Sequence, residues 1–441
     1  MTDDKHHRTG TFRSLRVPNY RWWFLGALVS NIGTWMQRIA QDWLVFNDLS
    51  HEDSTAMGIV MALQFLPQLF LAPYAGLLAD RSDRRKVLFL TQGAMAVLAA
   101  LLGVLVISGS AQLWQVYVFA LLLGIVTAID SPVRQTFVSN LVQDRDLPNA
   151  VALNSMSFNS ARLIGPAIAG LLVAAVGSGP VFLINTVTFL AMIGAIVAID
   201  TTRLRPMPRV SRASSRLRDG FAYVRSRPDI LIVMVGAFLV GTFGMNSAIN
   251  IAAMATSEFG YGANQFGFLT SAMAIGSVSG TLMAAKRERP RLRFIFGAAG
   301  LFGLTCLAAA ASPNVVVFAV ILIPMGLASL TFITSANAYV QVSTEPHMRG
   351  RVMSIYMAVF MGGTPIGAPV VGRINDLWGA RWGLGVAVAA GLATVLLGFL
   401  WYWRSQHLHL TYDRSRRGFV RLERDADYAP ITAALEVQEP R

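Results

Sequence analysis

The chain has 441 residues, of which 54% are hydrophobic and only 14% are charged. Soluble domains carry roughly 45–50% apolar and about 25% charged residues, so this composition excludes an ordinary soluble protein and indicates a membrane protein. The formal net charge of +13 raises the question of a nucleic-acid partner, which the distribution of the charge answers below. A single cysteine, Cys306, excludes an intrachain disulfide.

Twelve apolar stretches are each long enough for the ~20 residues that a bilayer core requires. We predict that each forms one membrane-spanning helix, and we number them segments 1 to 12. Their approximate bounds are 20–47, 55–79, 86–107, 112–139, 150–176, 180–200, 229–256, 264–286, 293–311, 315–342, 350–374 and 382–403. The sequence therefore predicts an all-α integral membrane protein with twelve transmembrane helices.

Polar stretches divide the segments into two groups of six. The polar stretches are an N-terminal tail at 1–19 without the apolar core of a removable signal peptide, a linker at 201–228 and a C-terminal tail at 404–441. Residues 217–224 of the Arg-rich linker are amphipathic, which suits a surface helix on anionic lipid. The predicted units between these stretches are an N-terminal half at 20–200 and a C-terminal half at 229–403.

The basic residues lie almost entirely on one side of the predicted membrane. All but five of the 37 Lys and Arg fall in the tails, the linker and the loops of that side. Arg373 and Arg381 lie in the opposite loops, and Arg38, Arg134 and Arg162 lie inside segments. Basic residues are retained in the cytoplasm, so we expect both termini there, in a multi-pass protein of the plasma membrane. The membrane topology accounts for the positive net charge of the chain, so no nucleic-acid partner is expected.

Segments 1 and 5 carry charged residues at depths where a charge is costly unless it faces protein or water. Arg38 and Asp42 are four residues apart and share a helix face. They either form an ion pair at the outer mouth or act directly in a substrate cavity. Arg162 lies near the middle of segment 5, where it binds substrate, supports the backbone around Pro166 or pairs with Asp130.

Amide side chains are the corresponding candidates in the second half. Asn246 and Asn250 of segment 7 are four residues apart, and Asn337 lies in segment 10. Such residues either line a cavity or join helices, where each hydrogen bond contributes about 0.6 kcal/mol. The predicted substrate cavity comprises Arg38, Asp42, Arg162, Asn246, Asn250 and Asn337.

The second half weakly repeats the first. At a constant offset, Gly165, Gly170 and Gly177 align with glycines at the same place in the other half, namely Gly367, Gly372 and Gly379. Two six-helix repeats that enclose a site between them are a known transporter architecture.

The stretch GLLADRSDRRK, which joins segments 2 and 3, resembles the first signature of the major facilitator superfamily of secondary transporters. That signature reads Gly, any three residues, Asp, Arg or Lys, any residue, Gly and two basic residues. Here the positions are Gly76, Asp80, Arg81, Asp83, Arg84 and Arg85, with Asp83 where the family usually has Gly. Residues 141–172 and 347–372 further resemble the subgroup of bacterial efflux proteins that contains the enterobactin exporter.

The resemblance implies a conformational latch that closes the cytoplasmic side. In it, Asp80 faces the start of the helix at about 349–352, where the helix dipole favours a carboxylate. Arg84 meets Asp130, and Arg134 shares Asp80 or Asp83. The predicted latch comprises Gly76, Asp80, Arg81, Arg84, Arg85, Asp130 and Arg134. The alternative is that these charges serve topology alone.

The resemblance also implies alternating access, and it predicts a proton-coupled exporter of mid-sized, siderophore- or drug-like organic compounds. The antiporter motif of helix 5 is retained only in part, as a predicted hinge at Gly165, Pro166 and Gly170. Residues 114–124 lack the arginine of many antiporters, so Asp42 or Asp130 becomes the expected proton carrier. An importer or uncoupled facilitator of the same fold, or a non-transporting receptor, remains an alternative.

Motifs of enzymes are not found: the sequence has no P-loop, HExxH or GxSxG motif and no Cys/His metal spacing. We therefore expect no enzymatic activity, cofactor or metal. The expected partners are a small-molecule substrate, protons and the lipid bilayer, with the protein acting as a monomer.

Overall fold

The computed structural model describes residues 12–143, 145–205, 217–285, 291–345, 348–405, 408–413 and 419–424. Apolar stretches form helices in a bilayer because every backbone group must be hydrogen-bonded internally. The helices are α1 Pro18–Trp43, α2 Ser54–Arg81, α3 Arg84–Ile107, α4 Leu113–Leu141, α5 Leu147–Val176, α6 Ser178–Ala198, α7 Leu217–Ser226, α8 Pro228–Leu239, α9 Ser247–Ala253, α10 Ala263–Ala285, α11 Leu292–Ala310, α12 Val315–Ser343, α13 Arg349–Gly362, α14 Thr364–Trp378 and α15 Ala380–Ser405.

These helices form twelve membrane columns within the described part of the chain. Helices α1 to α6 make columns 1 to 6, α8 with α9 makes column 7, α10 to α12 make columns 8 to 10, α13 with α14 makes column 11, and α15 makes column 12. Ten are long and apolar enough to cross a membrane by length and composition alone. Of the other two, α1 owes its lower hydropathy to polar residues that include Arg38 and Asp42. The predicted fold class is confirmed.

The C-terminal tail adds one element that the all-helical prediction omitted. Strands β1 Leu408–Asp413 and β2 Phe419–Arg424 pair antiparallel, with Leu408 opposite Arg424 and Asp413 opposite Phe419. A two-stranded sheet is marginally stable alone.

Two columns that the sequence predicted as continuous are interrupted. In column 7, α8 passes into a π-helical turn at Val240–Gly244, and α9 begins at Ser247. In column 11, α13 and α14 meet at Gly363, and a proline lies in the first turn of α14, where a fixed φ favours helix initiation. The two interruptions touch, because a Cβ on Gly363 would overlap the side chain of Thr242. Irregular backbone at this depth is tolerated because it is buried in protein.

The glycines of the predicted repeat occupy equivalent places in the two halves. Gly177 ends α5 and Gly379 ends α14, at φ of 81° and 93°, a backbone region that favours glycine. Gly170 and Gly372 each lie where their helix crosses a helix of the other half at backbone contact. The repeat therefore encodes both the turns and the inter-half crossings.

The bundle has two distinguishable ends. The end that carries the N-terminal tail, the linker and the C-terminal tail is called here the linker end, and the opposite end is called the distal end. At the distal end, a Cβ on Gly170 would lie 2.7 Å from the Cα of Gly267, and Trp43 stacks on Phe266 with ring centroids 5.8 Å apart. The two halves are in close contact there.

A carboxylate of one half caps a helix of the other half at this distal end. Asp376 at the end of α14 accepts hydrogen bonds from the backbone N–H groups of Ser54 at 2.8 Å and Thr55 at 2.9 Å, and from the Thr55 hydroxyl. Ser54 and Thr55 begin α2, so the carboxylate satisfies N–H groups that have no partner within the helix. This contact is called the distal clasp.

The linker helix α7 rests on the start of α13. Gly220 of α7 allows the close approach, since a Cβ there would lie 3.0 Å from Cδ1 of Ile355. Arg351 of α13 lies 3.8 Å from the carboxylate of Asp219. The amphipathic stretch predicted at 217–224 is thus a helix attached to the C-terminal half, at the helix start where the latch is expected to dock.

Candidate functional site

A cavity with a volume of about 540 Å³ lies inside the N-terminal half. Its wall is formed by residues from α1 to α6, and most of its polar groups are amides, hydroxyls and charged side chains. The polar residues of the wall are Asn31, Thr34, Gln37, Arg38, Gln64, Thr127, Asp130, Ser131, Arg134, Gln135, Asn154, Ser155, Asn159 and Asn185. The wall reaches from mid-depth residues such as Arg38 to residues of α5 near the linker end such as Val151.

Two arginines and a tryptophan form a charged cluster beside the cavity. Arg38 belongs to the cavity wall, whereas Trp35 and Arg162 do not. The guanidinium carbon of Arg38 lies 5.1 Å from the ring centroid of Trp35 and 5.4 Å from that of Phe65. The guanidinium carbon of Arg162 lies 5.5 Å from the same Trp35 ring. The electron-rich face of an aromatic ring attracts such cations. These three residues are called the Arg–Trp cluster, and they join α1 to α5.

Close packing of α1 on α5 holds the Arg–Trp cluster in place. A Cβ on Gly165 would lie 2.6 Å from the Cβ of Trp35, so only glycine allows the two helices to approach so closely here. Phe158, two turns before Gly165, meets the Trp35 ring edge-on with centroids 5.8 Å apart. Arg162 lies between these two contacts on α5 and is thereby directed at the Trp35 ring.

Asp130 is the buried acid of the cavity wall, and its carboxylate is fully engaged. It accepts hydrogen bonds from the hydroxyl of Thr91 at 2.7 Å, from the amide of Gln92 at 2.9 Å and from Nε of Arg134 at 2.9 Å. Arg134 lies four residues further along α4, on the same helix face. The network ties α3 to α4 around one negative charge.

Several donor groups in and beside the cavity have no acceptor. Nε2 of Gln64 and NH1 of Arg134 are buried in the wall, and neither has a hydrogen-bond partner. Nε2 of Gln41, one turn from Arg38 on α1, is also buried without a partner. Buried polar groups are nearly always satisfied, so these donors call for a bound acceptor.

The predicted ion pair between Arg38 and Asp42 is not formed. Asp42 is buried, with 6% of its surface exposed, and lies outside the cavity wall next to the stacked Trp43. Arg38 instead turns its guanidinium over Trp35 and Phe65. The i, i+4 spacing placed both residues on one face correctly but did not reveal that aromatic rings compete for the cation.

The latch residues are only partly described. The surroundings of Gly76 and the side chains of Asp80 and Arg81 are not described, although α2 itself extends through these residues. Arg84 donates to Oδ1 of Asn140 at 2.8 Å. Since Asn140 is ten residues beyond Asp130 on α4, about 15 Å along the helix, the expected contact between Arg84 and Asp130 is absent in this conformation.

The other basic residues of the latch region anchor helices of the N-terminal half. Arg85 donates to the backbone carbonyls of Ile196 at 3.1 Å and Val197 at 3.2 Å. These carbonyls lie in the last turn of α6, so Arg85 anchors the end of that helix. Asp83, the residue that departs from the family signature, caps α3 by accepting from the N–H groups of Arg85 and Lys86. Its substitution for Gly therefore has a structural role at the start of α3.

Two of the C-terminal candidates are packed in the core of their half. Oδ1 of Asn250 accepts a hydrogen bond at 3.2 Å from Nδ2 of Asn375, which joins α9 to α14. Asn246 is fully buried and donates to the carbonyl of Thr242 at 2.8 Å in the interrupted column 7. Neither lies in the cavity wall, and Asn337 of α12 is half-buried. Their predicted role in substrate binding stays a prediction.

Several wall residues were not among the predicted cavity residues. Asn31, Gln37 and Asn185 each take part in a hydrogen bond between helices: Asn185 donates to Gln37 at 2.5 Å, and Asn31 donates to Ser157 at 3.3 Å. Amides within apolar helices are visible in the sequence, but their common cavity depends on the packing of α1 against α5 and α6. In the described part of the chain, no group of three or more His, Cys, Asp or Glu could hold a metal ion.

A comparison with protein families finds one family whose model matches nearly the whole chain. The model of the MFS_3 family, described as transmembrane secretion effector, matches residues 9–436. Two curated relatives span most of the chain. The staphyloferrin A transporter of Staphylococcus aureus is 23% identical over 401 residues, covering 90% of this chain and 99% of its own. The enterobactin exporter EntS of Escherichia coli is 26% identical over 338 residues, covering 74% and 77%.

Solved structures share the fold at lower sequence identity. A bacterial homologue of the human lysosomal transporter Spinster, in an inward-facing and unoccupied conformation, superposes with a TM-score of 0.70 at 14% identity, covering 87% of this chain and 97% of the other. The nucleoside transporter NupG superposes with a TM-score of 0.64 at 14% identity, covering 87% and 98%. At these identities the similarity establishes the fold alone.

Proposed function

Because the chain belongs to the MFS_3 family of major facilitator superfamily membrane transporters, we propose that it exports mid-sized organic compounds by alternating access, in exchange for protons. The observation that best supports this proposal is the cavity. It lies inside the N-terminal half, has both polar and apolar side chains in its wall and reaches from mid-depth to the linker end, while the two halves are in close contact at the distal end. A transporter that opens to one side at a time must adopt such a state.

The distribution of basic residues supports the assignment of the linker end to the cytoplasm. The tails, the linker and the loops of that end carry all but five of the 37 Lys and Arg. With this orientation in the bacterial inner membrane, the cavity faces inward and would load substrate from the cytoplasm. An exporter requires that loading step.

The proposed substrate class follows the two curated relatives. One is named as a transporter of staphyloferrin A and the other as an exporter of enterobactin. A cavity of about 540 Å³ is within the range of roughly 300–1,000 Å³ that accommodates a mid-sized organic ligand. Siderophore-like compounds are therefore the first substrates to test, with drug-like amphipathic compounds second.

Proton coupling is proposed for two buried carboxylates of the N-terminal half. Asp42 has no ion-pair partner among the described residues and lies beside the inter-half contact of Trp43 with Phe266. Asp130 lies in the cavity wall and holds Thr91 and Arg134 through its charge. Both side chains are buried within the helical bundle, where ionisable residues commonly serve proton transfer.

The predicted latch and the distal clasp together suggest how the two states alternate. In the distal clasp, Asp376 near the end of column 11 caps the start of α2. In the latch, Asp80 near the end of α2 would cap the start of α13, at the other end of the same antiparallel pair. Each state would then be held by one carboxylate at one helix start, and the linker-end contact would form only when the distal clasp opens.

The test measures internal pH in liposomes that contain the purified protein, while a panel of siderophores and amphipathic drugs is added. We expect a substrate-triggered proton flux that Asp42→Asn or Asp130→Asn abolishes, and that the exposed control Asp48→Asn leaves unchanged. Substrate movement without a pH change would show an uncoupled facilitator or another coupling ion. Binding without movement of any solute would show a receptor, and either result would refute the proposed coupling.

A further inference from the structure

We infer that the substrate is an organic anion whose acidic group binds at the Arg–Trp cluster, an inference that rests on the proposed transport function. Arg38 and Arg162 both lie over the ring of Trp35, at 5.1 and 5.5 Å from its centroid. Two like charges that share one ring repel each other strongly in a medium of low dielectric constant. Their placement at this depth needs a compensating negative group.

Among the described residues, Asp42 acts electrostatically on Arg38 without contacting it closely, and no acid acts on Arg162. Arg38 forms no ion pair with Asp42, although both lie on one face of α1. Asp130 is already bound by Arg134, Thr91 and Gln92. The rings around Arg38 and Arg162 attract cations through their quadrupoles but carry no net charge. Asp42 can offset only one of the two arginines, so a ligand would supply the second negative charge.

The unsatisfied groups of the cavity favour the same kind of ligand. Gln64 and Arg134 each direct a buried nitrogen donor without a partner, and both residues line the cavity that contains Arg38. Carboxylate oxygens accept such hydrogen bonds, whereas an ammonium ion only donates. Among the described residues of the wall, Asp130 is the one carboxylate, and its charge is already paired with Arg134. The cavity thus presents positive charge and donors.

The aromatic side chains near the Arg–Trp cluster indicate the chemistry of the rest of the substrate. Phe65 lies under Arg38, and Phe158 meets the edge of Trp35. Phe158 is half-exposed and lines the cavity. An acidic compound with an apolar or aromatic body would place its acid at the Arg–Trp cluster and its body against these rings.

The experiment measures binding to the purified full-length protein in nanodiscs by isothermal titration calorimetry. The probes are trimesate, its neutral triamide of nearly the same shape, and the cation tetraphenylphosphonium. We expect trimesate to bind and the other two to bind more weakly. Affinity should fall about tenfold or more in Arg38→Gln and Arg162→Gln, as expected when a charge-assisted hydrogen bond is lost. Arg373→Gln, which removes an exposed arginine of α14, is the matched control.

A second measurement separates a binding role from a purely structural one. Because removal of one of two unpaired like charges relieves repulsion, Arg38→Gln and Arg162→Gln should unfold at the same temperature as the wild type or higher when no ligand is present. If these arginines only support the fold, both variants should be less stable. Arg38→Lys and Arg162→Lys should retain part of the trimesate affinity, since the charge remains.

Three results would overturn the inference: equal affinity for trimesate and its triamide, unchanged trimesate affinity in both arginine-to-glutamine variants, or no trimesate binding at millimolar concentration. These outcomes are distinct from failure of the proposed function. Transport of neutral or cationic compounds alone would leave the exporter intact and refute the anionic substrate. Trimesate binding that depends on Arg38 and Arg162, without transport of any compound, would support the anion site and refute export.

Discussion

Removal of the negative charge from the distal clasp should shift the protein toward the state in which its distal end is open. In the structure, Asp376 accepts hydrogen bonds from the N–H groups of Ser54 and Thr55 at 2.8 and 2.9 Å. A carboxylate at a helix start stabilises by roughly 0.3–1 kcal/mol when exposed and up to ~2 kcal/mol when partly buried. Since Asp376 is exposed but Ser54 is buried, we take about 1 kcal/mol for Asp376→Asn.

A change of about 1 kcal/mol alters an equilibrium constant about fivefold. The distance between spin labels at exposed distal positions of the two halves, Ser110→Cys and Ala311→Cys, reports that equilibrium by double electron–electron resonance. The background carries Cys306→Ala, which removes the native thiol. Asp376→Asn should raise the ratio of the long-distance to the short-distance population about fivefold. Since the side chain is exposed, the variant should fold normally.

The control is Asp48→Asn at the same end of the bundle, where the carboxylate accepts only from its neighbour Asn47 and reaches no residue of the other half. It should leave the distance distribution unchanged. An unchanged distribution in Asp376→Asn, or an equal shift in Asp48→Asn, would refute the role of the distal clasp in holding the halves together.

Two further substitutions test the packing that positions the site. Gly170→Ala would place a Cβ 2.7 Å from the Cα of Gly267, so distal closure should be hindered and the long-distance population should rise; Gly194→Ala, whose Cβ meets no atom within 4 Å, should not change it. Asn375→Ala would leave Oδ1 of the buried Asn250 without its partner, at a cost of about 1–3 kcal/mol, and should lower the unfolding temperature. An unchanged unfolding temperature would show that this hydrogen bond contributes nothing to the stability of the C-terminal half.

Most of the fold could be predicted because the bilayer imposes it. Apolar length predicted the twelve columns, and the glycine repeat was recognised in the sequence. Its roles in the turns at Gly177 and Gly379 and in the crossing at Gly170 became visible only in the structure. The interruption of column 11 at Gly363 was missed, although a glycine pair followed by Thr-Pro is a visible signal. Hydropathy averages over such a break, because a single non-helical residue barely changes the mean apolar character of the segment.

The site was harder to predict, because helix spacing shows which residues share a face but not what that face meets. Asn246 and Asn250 lie on one face, as expected, yet that face packs within the C-terminal half. Arg38 and Arg162 were selected for their depth in the membrane, and the structure brings both to Trp35. That meeting depends on the contact of α1 with α5, which no local pattern encodes.

The latch illustrates a different limit. The sequence resemblance pairs Arg84 with Asp130, whereas in the structure Arg84 binds Asn140 and Asp130 binds Arg134. A pairing that belongs to one conformation of a transporter is not a fixed property of the sequence, since the same side chains are expected to exchange partners between states. The latch therefore remains a prediction for the state in which the distal end is open.

The central claim is that one cavity is reached from one side of the membrane at a time. Ser155 lines the cavity and is exposed, so Ser155→Cys in the Cys306→Ala background reports access to it. A membrane-impermeant maleimide should label this thiol from the cytoplasmic face of inverted vesicles, and labelling from the other face should increase when Asp376→Asn is added. Equal labelling from both faces without that substitution, or labelling from the distal face alone, would contradict the account.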